Sequence, residues 1–269
     1  MSSGLESDVT KTTEELFSAS FGGDYDDDLP WDAVRVLRRR NGDEVFQLAA
    51  AYSRSETAIH RARALDVLAQ LGAGQPSSER PHSSESVSIA LKHLGDENPL
   101  VARSAAWALA HLQGDAATSA LIAARKRADA QLRLAVAFGM AGSERPDAIR
   151  TLIELMEDDD TEVRNWATFG LGNAGAENGP PARLGTLDSA AIRDALRKRL
   201  TDSFRGVCDE AIWGLALRRD PTALRLLLDR LNSEEWISTD KMTAAEILEL
   251  DYNTPVDTLR SGLRSLLHN

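Results

Sequence analysis

The sequence repeats itself, and this limits what the chain can fold into more than any other feature. Asp96-Glu97-Asn98-Pro99-Leu100-Val101-Ala102-Arg103 leads into Ser104-Ala105-Ala106-Trp107-Ala108-Leu109-Ala110. Asp129-Ala130-Gln131-Leu132-Arg133 leads into a similar run ending Phe138-Gly139-Met140. Asp160-Thr161-Glu162-Val163-Arg164 leads to Phe169-Gly170-Leu171, and Asp202-Ser203-Phe204-Arg205 leads to Trp213-Gly214-Leu215. Each copy reads acidic turn, basic start, small residues, then an aromatic two places before a Leu or Met. Weaker copies centre on Leu68 and Leu248. The anchors Leu68, Leu109, Met140, Leu171, Leu215 and Leu248 are 41, 31, 31, 44 and 33 residues apart. A base period near 31 is thus lengthened by two insertions rich in turn formers, 72–82 and 173–187.

Between the anchors lie second helices with apolar residues at i, i+3, i+4 and i+7. Ile149, Leu152, Ile153 and Met156 form one such set, and Leu224, Leu227, Leu228 and Leu231 another. Val87, Ala90, Leu91 and Leu94 form a third. That is the 3.6-residue period of an amphipathic helix, and no useful stretch alternates with period two. Two short helices per repeat, each covering its neighbour's apolar face, predict an all-α chain, a right-handed α-α superhelix of about six helical pairs. Residues 1–28 carry Asp24, Asp26, Asp27 and Asp28 and little apolar content, so they read as a mobile acidic tail ahead of a repeat domain over 29–269. Pro255 to Leu267 reads as a terminal capping helix.

The repeats resemble the HEAT-like repeats first described in phycobilisome lyases, whose pattern is an acidic turn, Val-Arg, alanines and Ala-Leu-Gly. Asp160 to Gly172 matches it best, and the likeness runs from about Glu44 to Leu250. A narrower likeness is to the YibA-type bacterial HEAT proteins. It rests on Val163-Arg164-Asn165-Trp166-Ala167-Thr168-Phe169 with Trp213-Gly214-Leu215, and on Val34-Arg35-Val36-Leu37 followed by Arg61 and the Leu68 helix. That resemblance implies an immunity-type function: binding and neutralising a polymorphic, Rhs-type toxin. A general adaptor in bacterial regulation is the alternative within binding proteins.

Charge points the same way. The chain has 269 residues and a formal net charge of -11, which opposes nucleic acid and anionic membranes unless basic residues are segregated, and which either favours a basic protein partner or serves solubility alone. Cys208 is the only cysteine, so no intrachain disulfide forms and a reducing cytoplasm fits. Met1 to Ser20 lacks the pattern of a secretory signal, and no stretch approaches the ~20 apolar residues of a membrane span.

Two sets of repeated residues are candidates for function. Arg133 and Arg164 recur a few residues after an acidic turn, with Arg103 one place later, as either an anion-binding row or a ladder of arginine–carboxylate bonds. The ladder is the stronger reading, because repetition is what a stacking device requires. Trp107, Phe138, Phe169 and Trp213 share one position, each two residues before its anchor. Two residues turn a helix by about 200°, so these rings should point away from the core. Arg103, His111, Asn165, Trp166, Asn173, Asp209 and Glu210 fall on or near the same face. Aromatic and arginine side chains exposed together are typical interface anchors. The opposing reading buries the rings against the next repeat.

Catalytic readings rank lower. HEAT-like repeats can hold a di-iron site built from His-Glu pairs, but none of His60, His82, His93, His111 and His268 is followed by Glu, so neither a metal nor another cofactor is expected. Asp158, Asp159 and Asp160 lack the spacing of a calcium loop and suit a helix start. No phosphate-binding glycine loop or Gly-x-Ser-x-Gly elbow occurs. Cys208 stands beside Asp209 and Glu210, which discourage a thiolate. A DNA glycosylase of the helical-repeat type would need a basic groove, whereas Arg38-Arg39-Arg40 and Arg197-Lys198-Arg199 are short and scattered. A phycobilin lyase is the remaining enzyme class implied by the repeat type.

Overall fold

The computed structural model describes residues 10–40, 42–75, 79–175 and 187–268. Everything ordered among them is helical, and no β-strand occurs. The described residues form two compact units, 1–139 and 140–269, the division falling at the end of a helix.

The first unit contains α1 (Thr13–Ser20), α2 (Asp28–Leu37), α3 (Gly42–Tyr52), α4 (Ala58–Gln70), α5 (Ser83–His93), α6 (Pro99–Leu112), α7 (Asp115–Ala124) and α8 (Ala130–Met140). The second contains α9 (Pro146–Leu155), α10 (Thr161–Gly172), α11 (Ala190–Arg199), α12 (Arg205–Leu217), α13 (Pro221–Asn232), α14 (Ser238–Ile247) and α15 (Val256–His268). The anchor helices of the repeat are α4, α6, α8, α10, α12 and α14.

Local chemistry explains where these helices begin. Asn98 accepts from the Leu100 amide at 3.0 Å with Pro99 at the first helical position of α6. Asp160 accepts from the Glu162 and Val163 amides at 3.0 and 3.1 Å. Each cap satisfies helix-start donors that have no partner within the helix. The helices then bury their small and branched faces. Leu68, Leu109, Met140, Leu171 and Leu215 have no exposed surface. In the last repeat the buried place belongs to Ile247 instead, because α14 ends there and Leu248 becomes its cap. Outer helices bury one stripe only: α13 buries Leu224, Leu227 and Leu231 while Leu228 stays partly exposed.

Glycine sets the closest crossing. A methyl group on Gly214 would lie 2.7 Å from the Gly172 Cα, so α10 and α12 pack backbone against backbone. The carbonyls at the end of α10 are then covered by one buried guanidinium. Arg218 donates to Gly172 O at 2.8 Å, Gly214 O at 2.7 Å, Leu187 O at 2.9 Å and Leu171 O at 3.3 Å. Burial pulls its pKa down to about 10.

The repeated arginines form the ladder in both units. Arg61 meets Asp96 through two bonds of 3.1 and 3.0 Å, and Arg103 meets Asp129 at 2.5 Å. Arg164 meets Asp202 at 3.1 and 3.2 Å, and Arg205 meets Asp240 at 3.2 Å. Each arginine thus bonds the acidic turn that starts the next anchor helix. The carboxylates also hold that helix start: Asp96 accepts from the Asn98 amide and Asp202 from the Phe204 amide, both at 3.0 Å. Arg164 donates back to its own turn, to Asp158 O at 2.9 Å and Asp159 O at 3.1 Å. Arg133 does the same to Arg127 O at 3.0 Å and Ala128 O at 2.9 Å. A guanidinium has five donors in one plane, enough to knit two turns at once.

The beginning of the chain differs from the acidic tail expected for residues 1–28. Thr12 and Glu15 form a reciprocal capping box that starts α1, and Leu16 and Phe17 are fully buried against α2 and α3 residues including Val34, Leu37 and Val45. Two well-placed apolar side chains are enough to dock one short helix onto an existing core. Residues 1–9 lie outside the described residues, as do 76–78 of the first insertion and 176–186 of the second.

Candidate functional site

The four equivalent rings are neither sealed in the core nor free on the surface. Trp107, Phe138, Phe169 and Trp213 are all half-buried. In the first unit Trp107 packs on Phe138 with centroids 5.3 Å apart, and His111 meets Phe138 edge-on at 5.1 Å. Burial, with Arg80 nearby, lowers the His111 pKa. In the second unit Phe169 and Trp213 stack at 5.8 Å with 14° between planes, and Trp166 meets Phe169 edge-on at 5.6 Å. Such pairs leave one ring face or edge for a third group.

Each cluster borders a cavity. The first unit has one of about 410 Å³, with Trp107, His111 and Arg103 on one side and Tyr25, Trp31 and Asp66 on the other. Arg103 reaches it only in part, because its Nε is engaged by Asp129. The second unit has a cavity of about 280 Å³ lined by Phe169, Asn173, Asp209, Glu210 and Trp213 from α10 and α12, and by Thr239, Met242, Thr243 and Glu246 from α14. The fold therefore brings five of the residues singled out in the sequence around one hollow. Asn165 and Trp166 lie on α10 but off that lining, and Asn165 faces the start of α12 beside Gly206. Phe138 contributes through its contact with Trp107 rather than through the first lining.

Two acidic residues escaped notice in the sequence, and the register explains both. Asp66 stands two places before the anchor Leu68, and Glu246 two places before Leu248. They occupy the same repeat position as the four rings, with a carboxylate in place of the aromatic. Their non-aromatic identity hid them, although the spacing would have found them. Trp213 and Glu246 are one repeat apart, and the indole Nε1 donates to Glu246 Oε2 at 2.8 Å.

The two carboxylates have opposite surroundings. Asp66 accepts from the Tyr25 hydroxyl at 2.7 Å and lies 3.4 Å from the Arg63 Nη1. Arg63 is completely buried, donates to Ser20 O at 2.8 Å and Tyr25 O at 2.5 Å, and lies 4.1 Å above the Tyr25 ring and 4.8 Å from that of Trp31. Burial still raises Asp66 to about 6, against the pull of these partners. Ser104 Oγ lies 2.8 Å from the Tyr25 hydroxyl and completes the network. In the second unit, Glu246 Oε1 is buried without a hydrogen-bond partner. Burial, and then the charge of adjacent Asp209, raise Glu210 to about 7. Asp209 itself is paired with Arg230 and lies near Arg205.

The remaining candidates for chemistry are engaged structurally. His60 stacks on Phe21 at 4.1 Å, His82 stacks on Phe46 at 4.1 Å, and His93 leans on Asp96 at 3.4 Å. The Cys208 thiol donates to Asp202 O at 3.2 Å and burial raises its pKa. Among the described residues no helix is long and apolar enough to cross a membrane.

Helical pairs bonded by an arginine–carboxylate ladder, with rings at one repeat position, define an all-helical repeat fold of the α-solenoid class. Comparison with known proteins agrees. Residues 119–182 match the model for HEAT repeats, and residues 101–126 that for the PBS lyase HEAT-like repeat. The chain is 33% identical over 100 residues to Protein YibA of Escherichia coli K12, a stretch covering 37% of this chain and 32% of that protein. The match thus spans about a third of the curated relative's length. The X-ray structure of E. coli YibA superposes with a TM-score of 0.71 at 22% identity, over 98% of this chain and 95% of that one. A chain from the structure of Kap95p with RanGDP gives 0.61 at 12% identity, over 99% of this chain and 36% of that one. An engineered protein gives 0.56 at 16% identity, over 96% and 78%.

Proposed function

We propose that this chain is a non-catalytic protein-binding scaffold, and specifically an immunity-type protein that binds and neutralises a basic toxin domain in a reducing compartment such as the cytoplasm. One observation carries the binding part: half-buried rings at one repeat position line a cavity in each unit. Rings fully buried would serve stacking alone, whereas rings held rigid yet reachable give a partner large contact area at little entropic cost. The carboxylates around the second cavity and the net charge of -11 favour a basic surface over nucleic acid or membrane. The toxin reading is supported by the likeness to YibA-type proteins.

The test is co-purification of tagged wild type, Phe169→Ala and Trp213→Ala chains with a basic toxin domain of the Rhs type expressed beside them, alongside thermal melting. Loss of capture at near-unchanged melting temperature supports a binding surface, as does failure of the variants to protect cells from that toxin. Capture and protection that survive both substitutions overturn it.

A further inference from the structure

The two ends of the ring register solve one electrostatic problem in different ways. In the first unit, the terminal carboxylate Asp66 sits against a buried guanidinium, that of Arg63, which also lies over two aromatic rings. Carboxylate, guanidinium and ring form a closed set within the chain. The second unit has the same carboxylate position, Glu246, and the same kind of ring, Trp213, but the described groups of the cavity include no guanidinium of its own. Arg230 and Arg205 are not among the lining residues and pair with Asp209 and Asp240. What remains on the lining is Glu210 and the side chain of Glu246, whose Oε1 is buried with no partner.

We infer that the cavity between α10, α12 and α14 is a receptor for one arginine side chain of the protein partner, held by Glu210 and Glu246 and packed on Trp213 and Phe169. This deepens the protein-binding reading above and rests on it. Arginine is chosen over lysine on three grounds. The planar fork has enough donors for two carboxylates placed on different helices. Its flat face suits a ring stack, and its weaker hydration lowers the cost of entering a half-buried site. The first unit shows this chain already building that combination around Arg63. The apolar floor, with Met242 more than half exposed, accommodates the methylene stem. The raised pKa of Glu210 agrees, since it marks a carboxylate short of compensating positive charge.

The inference is tested with N-acetyl-arginine amide as the probe, following the indole N–H resonances of the full chain, with the Trp213 signal identified from Trp213→Phe. The expected result is a saturable shift of the Trp213 signal at millimolar probe, absent with the neutral isostere N-acetyl-citrulline amide and weaker with N-acetyl-lysine amide. Glu210→Gln combined with Glu246→Gln should weaken it about tenfold or more while the Trp107 signal keeps its position. Equal responses to arginine and citrulline amides, or none to either, overturn the inference, and so does a lysine response that matches or exceeds that of arginine. If the amide fails while partner capture still depends on Trp213, the arginine receptor is wrong and the protein-binding surface stands. If capture is also independent of Trp213, both fall.

Discussion

The two cavities begin from the same repeat position and end in different states. Around the first, the charged groups are answered from within: Asp66 by Tyr25 and Arg63, and Arg103 by Asp129, with Ser104 on the Tyr25 hydroxyl. Around the second, Glu246 keeps an oxygen without a partner, and burial and a neighbouring carboxylate make Glu210 hold its proton. The difference comes from what the chain adds outside the repeat. Residues ahead of α3 bring Tyr25 and Trp31 to the first cavity, while α14 brings only a methionine, two threonines and one more carboxylate to the second. Satisfied polar networks stabilise a fold, and unsatisfied ones carry a cost that a partner can relieve. The first cavity is thus the more closed within the chain, and the second is the one proposed above to receive a partner's side chain.

The sharpest way to break this comparison is to open the closed side. Arg63→Met removes the buried cation beside Asp66 and strips donors from Ser20 O and Tyr25 O. Leaving a buried carboxylate uncompensated costs about 3–5 kcal/mol. Urea unfolding should show a loss of that size, with earlier proteolysis around Tyr25. A loss below about 1 kcal/mol would mean that the network contributes little and that the two cavities are alike.

The opposite change is expected on the open side. Glu210 has a folded-state pKa near 7 against an ordinary 4.5, so the native chain holds this proton more tightly than the unfolded one. Stability from this group is therefore present below about pH 4.5 and lost as pH rises through 7. Burial acts on it first and then the charge of Asp209 on the same helix, which is paired with Arg230 from α13; Glu246 from α14 lines the same cavity. Glu210→Gln should raise stability at pH 8 by on the order of 1–3 kcal/mol and leave it unchanged at pH 4. Melting curves at the two pH values check this, and a variant less stable than wild type at pH 8 would show that the carboxylate is structurally paired.

The smallest effect concerns the ladder. Arg103→Ala breaks a bond whose arginine is 43% exposed, and such pairs contribute up to about 1 kcal/mol. The Arg164–Asp202 pair is far more shielded, so Arg164→Ala should cost more, about 1–3 kcal/mol. Denaturant midpoints of the two variants decide the order, and equal losses would remove burial as the cause.

Much of this was legible beforehand. The recurring Asp…Arg spacing announced a ladder because only a stacked array needs the same bond at each step. Five of six anchors are fully buried, since a Leu or Met two residues past the half-buried ring, or past the carboxylate in its place, turns to the inner side of a 3.6-residue helix. The failures are equally physical. Asp66 and Glu246 went unread because their register is aromatic elsewhere, and Leu248 was preferred to Ile247 because a pattern gives no helix end to within a residue. The acidic run at 24–28 masked the capping box of Thr12 and Glu15 and the two apolar residues of α1.

Periodicity along the chain determined the helical pairs, their caps, and which face of each carries the rings, because these depend on contacts between near neighbours or between one repeat and the next. Only the tertiary structure decided which carboxylate meets a guanidinium and which is left facing a hollow. That depends on Arg63, Tyr25 and Asp66 converging from helix and loop 38 and 41 residues apart. No local pattern records such a meeting, since burial and charge compensation are properties of the assembled fold.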